Sequence, residues 1–265
     1  MASEDGVSAP YITRRNLVAA TTLVITALGS RSAHAHEHEH HHHGHPGGGS
    51  HCYLRGTAIR TPSGEREIGE LRIGDPVVTY SGEPKPIKWI GRRRLQREDG
   101  DWPRDVMPVK LMRSALDDDI PQRELRVSAN HGIYVDGQLI PAGALVNGRT
   151  ITFCREARKV IEYLHIELFE PDVIFAESAA TETFLPFRNR RMFDNIEEYE
   201  RLYGAEQIAI HTQIAPRVDA ISRRFQLRSR LRSSVSPWWD IRTRFDITRD
   251  RIETRADFVG ARHLP

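Results

Sequence analysis

The sequence predicts an all-β domain followed by a short helical, arginine-rich extension. Three observations carry that reading. Short runs of strand-forming residues recur from Cys52 to Phe187, each bounded by turn residues. Glycine (19 residues) and proline (15) are frequent enough to furnish those turns. Beyond that stretch the apolar spacing lengthens to that of a helix. At 265 residues, 39% hydrophobic and 28% charged, the chain can bury a core. A net charge of only +2 excludes bulk attraction to nucleic acid, and no specific nucleic-acid partner is expected. Two cysteines exclude a disulfide scaffold or a cysteine-based zinc site.

The first 35 residues read as an address. Leu17 to Leu28 is an apolar run of 12, short of the ~20 residues that span a bilayer. It follows Thr13-Arg14-Arg15-Asn16-Leu17-Val18 and precedes Ala33-His34-Ala35, the order of a secretory signal. The paired arginines resemble the twin-arginine type, which predicts an exported, periplasmic or extracellular protein. No integral membrane anchor is expected after signal cleavage. Residues 36–51, HEHEHHHHGHPGGGSH, predict a flexible histidine-rich tract. His36, His38, His40, His41, His42, His43 and His45 are the candidate ligands there for Cu, Ni or Zn. Cleavage after Ala35 would leave His36-Glu37-His38 at the new end. Its amine, backbone amides and third-position imidazole suit square-planar Cu(II) or Ni(II).

Strands are predicted at Thr57 to Thr61, Pro76 to Tyr80, Ile87 to Leu95, Val106 to Met112, Leu125 to Val127, Gly132 to Val135, Arg149 to Phe153 and Lys159 to Phe169. In the last of these, Leu164, Ile166 and Leu168 share one face, and Ile161, Tyr163, His165 and Glu167 the other. The predicted domain ends near residue 193. In the extension, 194–265, Asn195 to Tyr203 and Val218 to Leu231 are spaced as helices. Gln213 to Arg262 holds twelve arginines, no lysine and six acids, which predicts a solvated helix and a poorly ordered end. Pro237-Trp238-Trp239 is the expected anchor of this tail on the β domain.

One ordered set of residues in the β region carries chemistry. Cys52 opens the domain as C-Y-L-R-G-T, followed by I-G-E-L-R-I-G-D at Ile68 to Asp75. Ser128-Ala129-Asn130-His131 follows, then I-P-A-G-A-L-V-N-G at Ile140 to Gly148, and His165 on a late strand. A thiolate is the competent nucleophile at neutral pH and needs a nearby base or positive group. Taken together, the pattern over residues 52–193 resembles the Hint family shared by inteins and hedgehog proteins, closest to bacterial stand-alone Hint-domain proteins. That resemblance implies a Hint-type β fold and autoprocessing without a cofactor.

Residue by residue, it implies Cys52 as the nucleophile on the His51–Cys52 bond, yielding a thioester. His131 would hydrogen-bond and protonate the leaving amide, Ser128 would hold that amide, and His165 would steer the thioester step. The substrate would be the protein's own N-terminal segment, with a small nucleophile as acceptor. Splicing inteins end in His-Asn, and the matching stretch here, Ala176 to Phe184, has no such pair. The chain also carries Pro171 and Ser178 where the similar bacterial domains tend to have His and Gly. An alternative stays open: a non-catalytic exported metal-binding protein on a Hint-like scaffold.

Overall fold

The computed structural model describes residues 51–262, apart from 99, 101, 105, 156–158, 186–188, 205–213 and 219–221. The predicted signal segment and the candidate metal ligands His36 to His45 lie outside the described residues. Two antiparallel sheets make up the domain. The first has the order β10-β6-β7-β1-β11-β5-β4. Its strands are β1 (Tyr53–Leu54), β4 (Pro76–Val78), β5 (Pro84–Gln96), β6 (Pro108–Leu111), β7 (Leu125–Ser128), β10 (Ile151–Phe153) and β11 (Val160–Leu168). The second has the order β3-β2-β12-β13-β8-β9. It comprises β2 (Ala58–Thr61), β3 (Gly64–Glu67), β8 (Gly132–Val135), β9 (Gln138–Pro141), β12 (Val173–Ala176) and β13 (Ala179–Glu182). Three helices follow: α1 (Ile196–Tyr203), α2 (Arg223–Val235) and α3 (Arg244–Arg262). No described helix is long and apolar enough to cross a membrane.

The longest pairing, β5 with β11, is the spine of the first sheet. Pro84 and Pro86 sit beyond the last β11 partner, Leu168 opposite Ile87, so their missing N–H groups fall at the rim. The predicted alternation on β11 holds, but both faces are buried. Leu164, Ile166 and Leu168 pack into one apolar cluster with Val127, Ile133 and Ile174. Ile161 and Tyr163 face a second cluster with Cys52, Trp89, Phe184 and Phe193. Gly91, opposite His165, has room for no side chain: a Cβ there would lie 2.8 Å from the Phe193 ring.

Five strands were not expected from the sequence: β1, β3, β9, β12 and β13. None exceeds four residues, and β3 reads Gly-Glu-Arg-Glu with mostly exposed side chains. Their pairing comes from neighbours rather than local apolar pattern. Three of them, β9, β12 and β13, belong to tight hairpins with left-handed turn residues. Asp136-Gly137 joins β8 to β9 and Glu177-Ser178 joins β12 to β13, with positive φ at all four residues. Two successive positive-φ residues match the right-handed twist of the flanking strands.

The extension departs most from expectation. Trp238 and Trp239 are 83% and 80% exposed, so this pair does not anchor the tail. The anchor is α3, in the stretch expected to be poorly ordered. Its Phe245, Ile252, Ala256 and Val259 are buried, and Phe245 and Ile252 belong to the main core cluster. Those four lie on one helix face but are separated by charged residues, which masks the stripe in the sequence. Thr248 Oγ1 donates to Asp136 Oδ2 at 2.7 Å, tying α3 to the β8–β9 turn. Buried Asp246 accepts from Arg232 Nε on α2 at 2.6 Å and also bonds Ser229.

The helix expected from Val218 begins only at Arg223, where the Ser222 hydroxyl accepts from the Phe225 amide at 3.2 Å. Val218 instead lies along β9: its N–H donates to the Leu139 carbonyl at 2.9 Å, and the Leu139 N–H to the Pro216 carbonyl at 3.0 Å. The edge of β9 carries unpaired backbone groups, and this segment satisfies them. Ile252→Ala is therefore expected to cost about 2–5 kcal/mol in urea unfolding. Trp239→Ala is expected to stay within about 0.5 kcal/mol. Equal shifts for the two variants would contradict the docking of α3.

Candidate functional site

Strand β1 has only two residues, yet it sits between β7 and β11. Tyr53 pairs with Val127 on one side and Leu164 on the other. Extending both registers by one residue brings Cys52 opposite Ser128 and His165. The hydrogen bonds follow that register. The Cys52 amide donates to Ser128 Oγ at 2.8 Å, and the Ser128 amide donates to the Cys52 carbonyl at 2.9 Å. The chain then turns: the His131 amide donates to the Ser128 carbonyl at 3.0 Å, bringing the His131 ring back over β1. Its centroid lies 4.3 Å from that of Tyr53 and 5.3 Å from that of His165. The I-P-A-G motif supports this loop from below, with Ala142 N–H bonded to the His131 carbonyl and Gly143 N–H to the Ala129 carbonyl.

All four residues singled out from the sequence therefore converge, and all are buried. Cys52, Ser128 and His131 have no exposed surface, and His165 has 1%. His165 packs edge-on to Phe184 with centroids 5.5 Å apart. Cys154, the second cysteine, is also buried and is not joined to Cys52 by a disulfide. A cavity of about 750 Å³ opens beside the loop, with Ala129, Asn130 and Gly143 in its wall. Among the described residues no group of histidine, cysteine, aspartate or glutamate side chains is arranged to hold a metal ion.

Three further residues belong to the site and were not legible beforehand. Glu182, at the end of β13, is fully buried. Its Oε1 accepts from the Gly132 amide at 2.7 Å and lies 3.3 Å from Nδ1 of His51, the residue preceding Cys52. A side chain at position 132 would exclude this bond, since a Cβ there would come within 2.7 Å of the Glu182 carboxyl carbon. Thr181 Oγ1 lies 2.7 Å from the Tyr53 hydroxyl, which also donates to the Glu182 carbonyl at 3.2 Å. Arg217 reaches in from the extension, donating to Glu182 Oε2 at 2.6 Å and to the Asn130 carbonyl at 2.7 Å. The triplet Thr181-Glu182-Thr183 carries no recognisable motif, and Arg217 is one of twelve arginines in the tail.

The Hint domain model matches residues 51–188, about half of the chain. The chain belongs to the Hint domain family. This is a family of self-processing domains, and the expected all-β Hint fold with a helical extension holds. Among solved structures, the Hint domain here is similar to a bacterial intein-like domain from Clostridium thermocellum. They share 14% identity over 51% of this chain and 99% of that one, with a TM-score of 0.37. A DnaB intein from Synechocystis shares 13% identity over 50% of this chain and 98% of its own, with a TM-score of 0.35. The gp41-1 intein shares 16% identity over 49% and 96%, with a TM-score of 0.37. No curated protein matches the chain.

Electrostatically, the floor of the site is set against phenolate. Burial pushes the Tyr53 hydroxyl far above the usual tyrosine range, and the nearby Glu182 carboxylate adds to that. Tyr163, behind Cys52, is raised by burial in the same way. Both phenols therefore stay protonated in the folded state when those of an unfolded chain ionise, above about pH 10. The unfolded state then binds fewer protons, so stability falls as pH rises through that point. Urea midpoints taken from about pH 9 to about pH 11 are expected to decline, and less steeply in Tyr53→Phe. Identical slopes in wild type and Tyr53→Phe would show that the phenol is not held neutral.

Proposed function

We propose that the protein cleaves or transfers its own N-terminal segment at the His51–Cys52 bond by an N-to-S acyl shift, without full splicing. The observation that carries this reading is the 2.8 Å bond from the Cys52 amide to Ser128 Oγ. It fixes the plane of the amide that must be broken, beside the one thiol able to attack it and two buried imidazoles. In the first step the Cys52 thiol passes its proton to a neighbouring imidazole, and Sγ attacks the His51 carbonyl carbon. The C–N bond then breaks, His131 supplies a proton to the departing Cys52 nitrogen, and a thioester remains. In this reading His165, across from Cys52 on β11, assists that exchange. Water or a small nucleophile then takes the acyl group and returns the Cys52 thiol.

The chemistry requires no cofactor beyond these side chains. Two features support a single cleavage over splicing. Ala176 to Phe184 holds no His-Asn pair, and the β12–β13 hairpin runs through that stretch. The released segment carries the histidine tract, so processing separates its Cu, Ni or Zn ligands from the domain. We place the protein outside the cytoplasm, exported by the twin-arginine route.

Intact mass measured after hydroxylamine or excess dithiothreitol tests the reading. Wild type is expected to release a fragment ending at His51, as the hydroxamate with hydroxylamine, and Cys52→Ala to stay whole. A wild type that remains full-length under both reagents would favour the non-catalytic metal-binding scaffold instead. His131→Ala is expected to slow release by about 10²- to 10⁴-fold. Ser128→Ala removes the acceptor of a buried N–H, and is expected to lower both the release rate and the stability, the latter by about 1–3 kcal/mol. A Ser128→Ala protein with unchanged stability would mean that this hydrogen bond carries no weight.

A further inference from the structure

Arg217 lies outside the part of the chain matched as a Hint domain, yet its guanidinium ends inside the site. It arrives there because the segment around Pro216 and Val218 adds itself to the edge of β9. From that position its fork spans three acceptors on three separate pieces of chain. One nitrogen donates to Glu182 Oε2 at 2.6 Å. The other donates to the Asn130 carbonyl at 2.7 Å and lies 3.3 Å from His51 Nδ1. Asn130 directly precedes His131 in the loop that begins at Ser128, and His51 contributes the carbonyl that Cys52 would attack.

We propose that Arg217 is a positioning residue for the autoprocessing step, so that the C-terminal extension completes a site the Hint domain leaves unfinished. The inference rests on the cleavage reading above. Its physical basis is the pairing of His51. Arginine can only donate and a carboxylate can only accept. When His51 Nδ1 lacks a proton it accepts from Arg217; when it carries one it donates to Glu182, at the same 3.3 Å. The ring is thus held under either tautomer, and the carbonyl attached to it stays in line with Cys52. The same guanidinium fixes the loop that carries His131. A lysine offers a single point of charge and cannot bridge the three acceptors in one plane.

The test uses the full-length chain and the hydroxylamine-driven release of the segment ending at His51. Arg217→Ala is expected to slow release about 10- to 100-fold, the loss that follows from a misplacement of roughly 1 Å. Arg217→Lys is expected to recover little of it, while millimolar ethylguanidinium added to Arg217→Ala restores part of the rate. In a His51→Ala background the Arg217→Ala effect is expected to shrink, since the shared partner is gone. Arg217→Gln, which keeps a donor, serves if the alanine variant unfolds. Wild-type rates in Arg217→Ala or Arg217→Gln overturn the inference while leaving the cleavage reading intact. A slowed rate that ethylguanidinium does not restore, and that is equal with or without His51, marks a purely structural effect and overturns it too. A wild type that releases nothing sinks the cleavage reading and this inference with it.

Discussion

The site depends on a strand of two residues wedged into the middle of a seven-stranded sheet. β1 has neighbours on both sides, so the register at Tyr53 is fixed twice, by Val127 and by Leu164. A slip of one residue would move Tyr53 and Leu54 to opposite faces and lose the contacts of Tyr53 with Thr181 and His131. Cys52, one step beyond, inherits that precision without belonging to a strand. Its placement between Ser128 and His165 follows from backbone pairing, which is less adjustable than side-chain packing.

Burial gives this arrangement its chemical character and its cost. Cys52 shares an apolar pocket with Trp89, Phe184 and Phe193, so water is excluded from the thiol and its neighbours. In such surroundings an isolated carboxylate would be strongly unfavourable. Glu182 is tolerated because Gly132 and Arg217 bond its two oxygens and His51 lies beside it. Removing one partner of a buried charge pair costs about 3–5 kcal/mol, more than the pair itself contributes. The requirement to satisfy one carboxylate therefore draws the loop after β7, the residue before Cys52 and the C-terminal extension to one point. A comparable need operates on β11 itself, two residues beyond His165. Glu167 is fully buried and accepts from Arg190 at 2.8 and 3.0 Å and from Lys88 at 2.7 Å, which ties the segment leading to α1 onto the first sheet.

The extension is continuous with the domain in its packing. Phe245 and Ile252 enter the same apolar cluster as the strands, and Asp136 on the β8–β9 turn is shared with Thr248 and Arg251. The Asp136-Gly137 turn thus has two functions: it closes a hairpin and it provides the docking point for α3. What the extension leaves uncovered is the outer face of α2, where Leu227 and Leu231 are more than half exposed.

The sequence by itself determined the long strands, the helix at α1 and the four residues that meet at the candidate site. Those features are local: β11 alternates over nine residues, and Cys52, Ser128, His131 and His165 stand in a fixed order within recognisable motifs. The Asp136-Gly137 signal for a hairpin was also present, although the strand β9 beyond it, Gln-Leu-Ile-Pro, is too short to read from pattern. Tertiary structure alone decided the rest. β1, β12 and β13 are strands because their neighbours supply backbone partners, and α3 is anchored because four apolar side chains spread over fifteen residues meet one surface. Glu182 and Arg217 are 35 residues apart, in stretches with no motif, and become a pair only when β13 and the segment along β9 are folded together. No local pattern encodes such a contact, because its energy arises from desolvating a charge that the unfolded chain leaves in water.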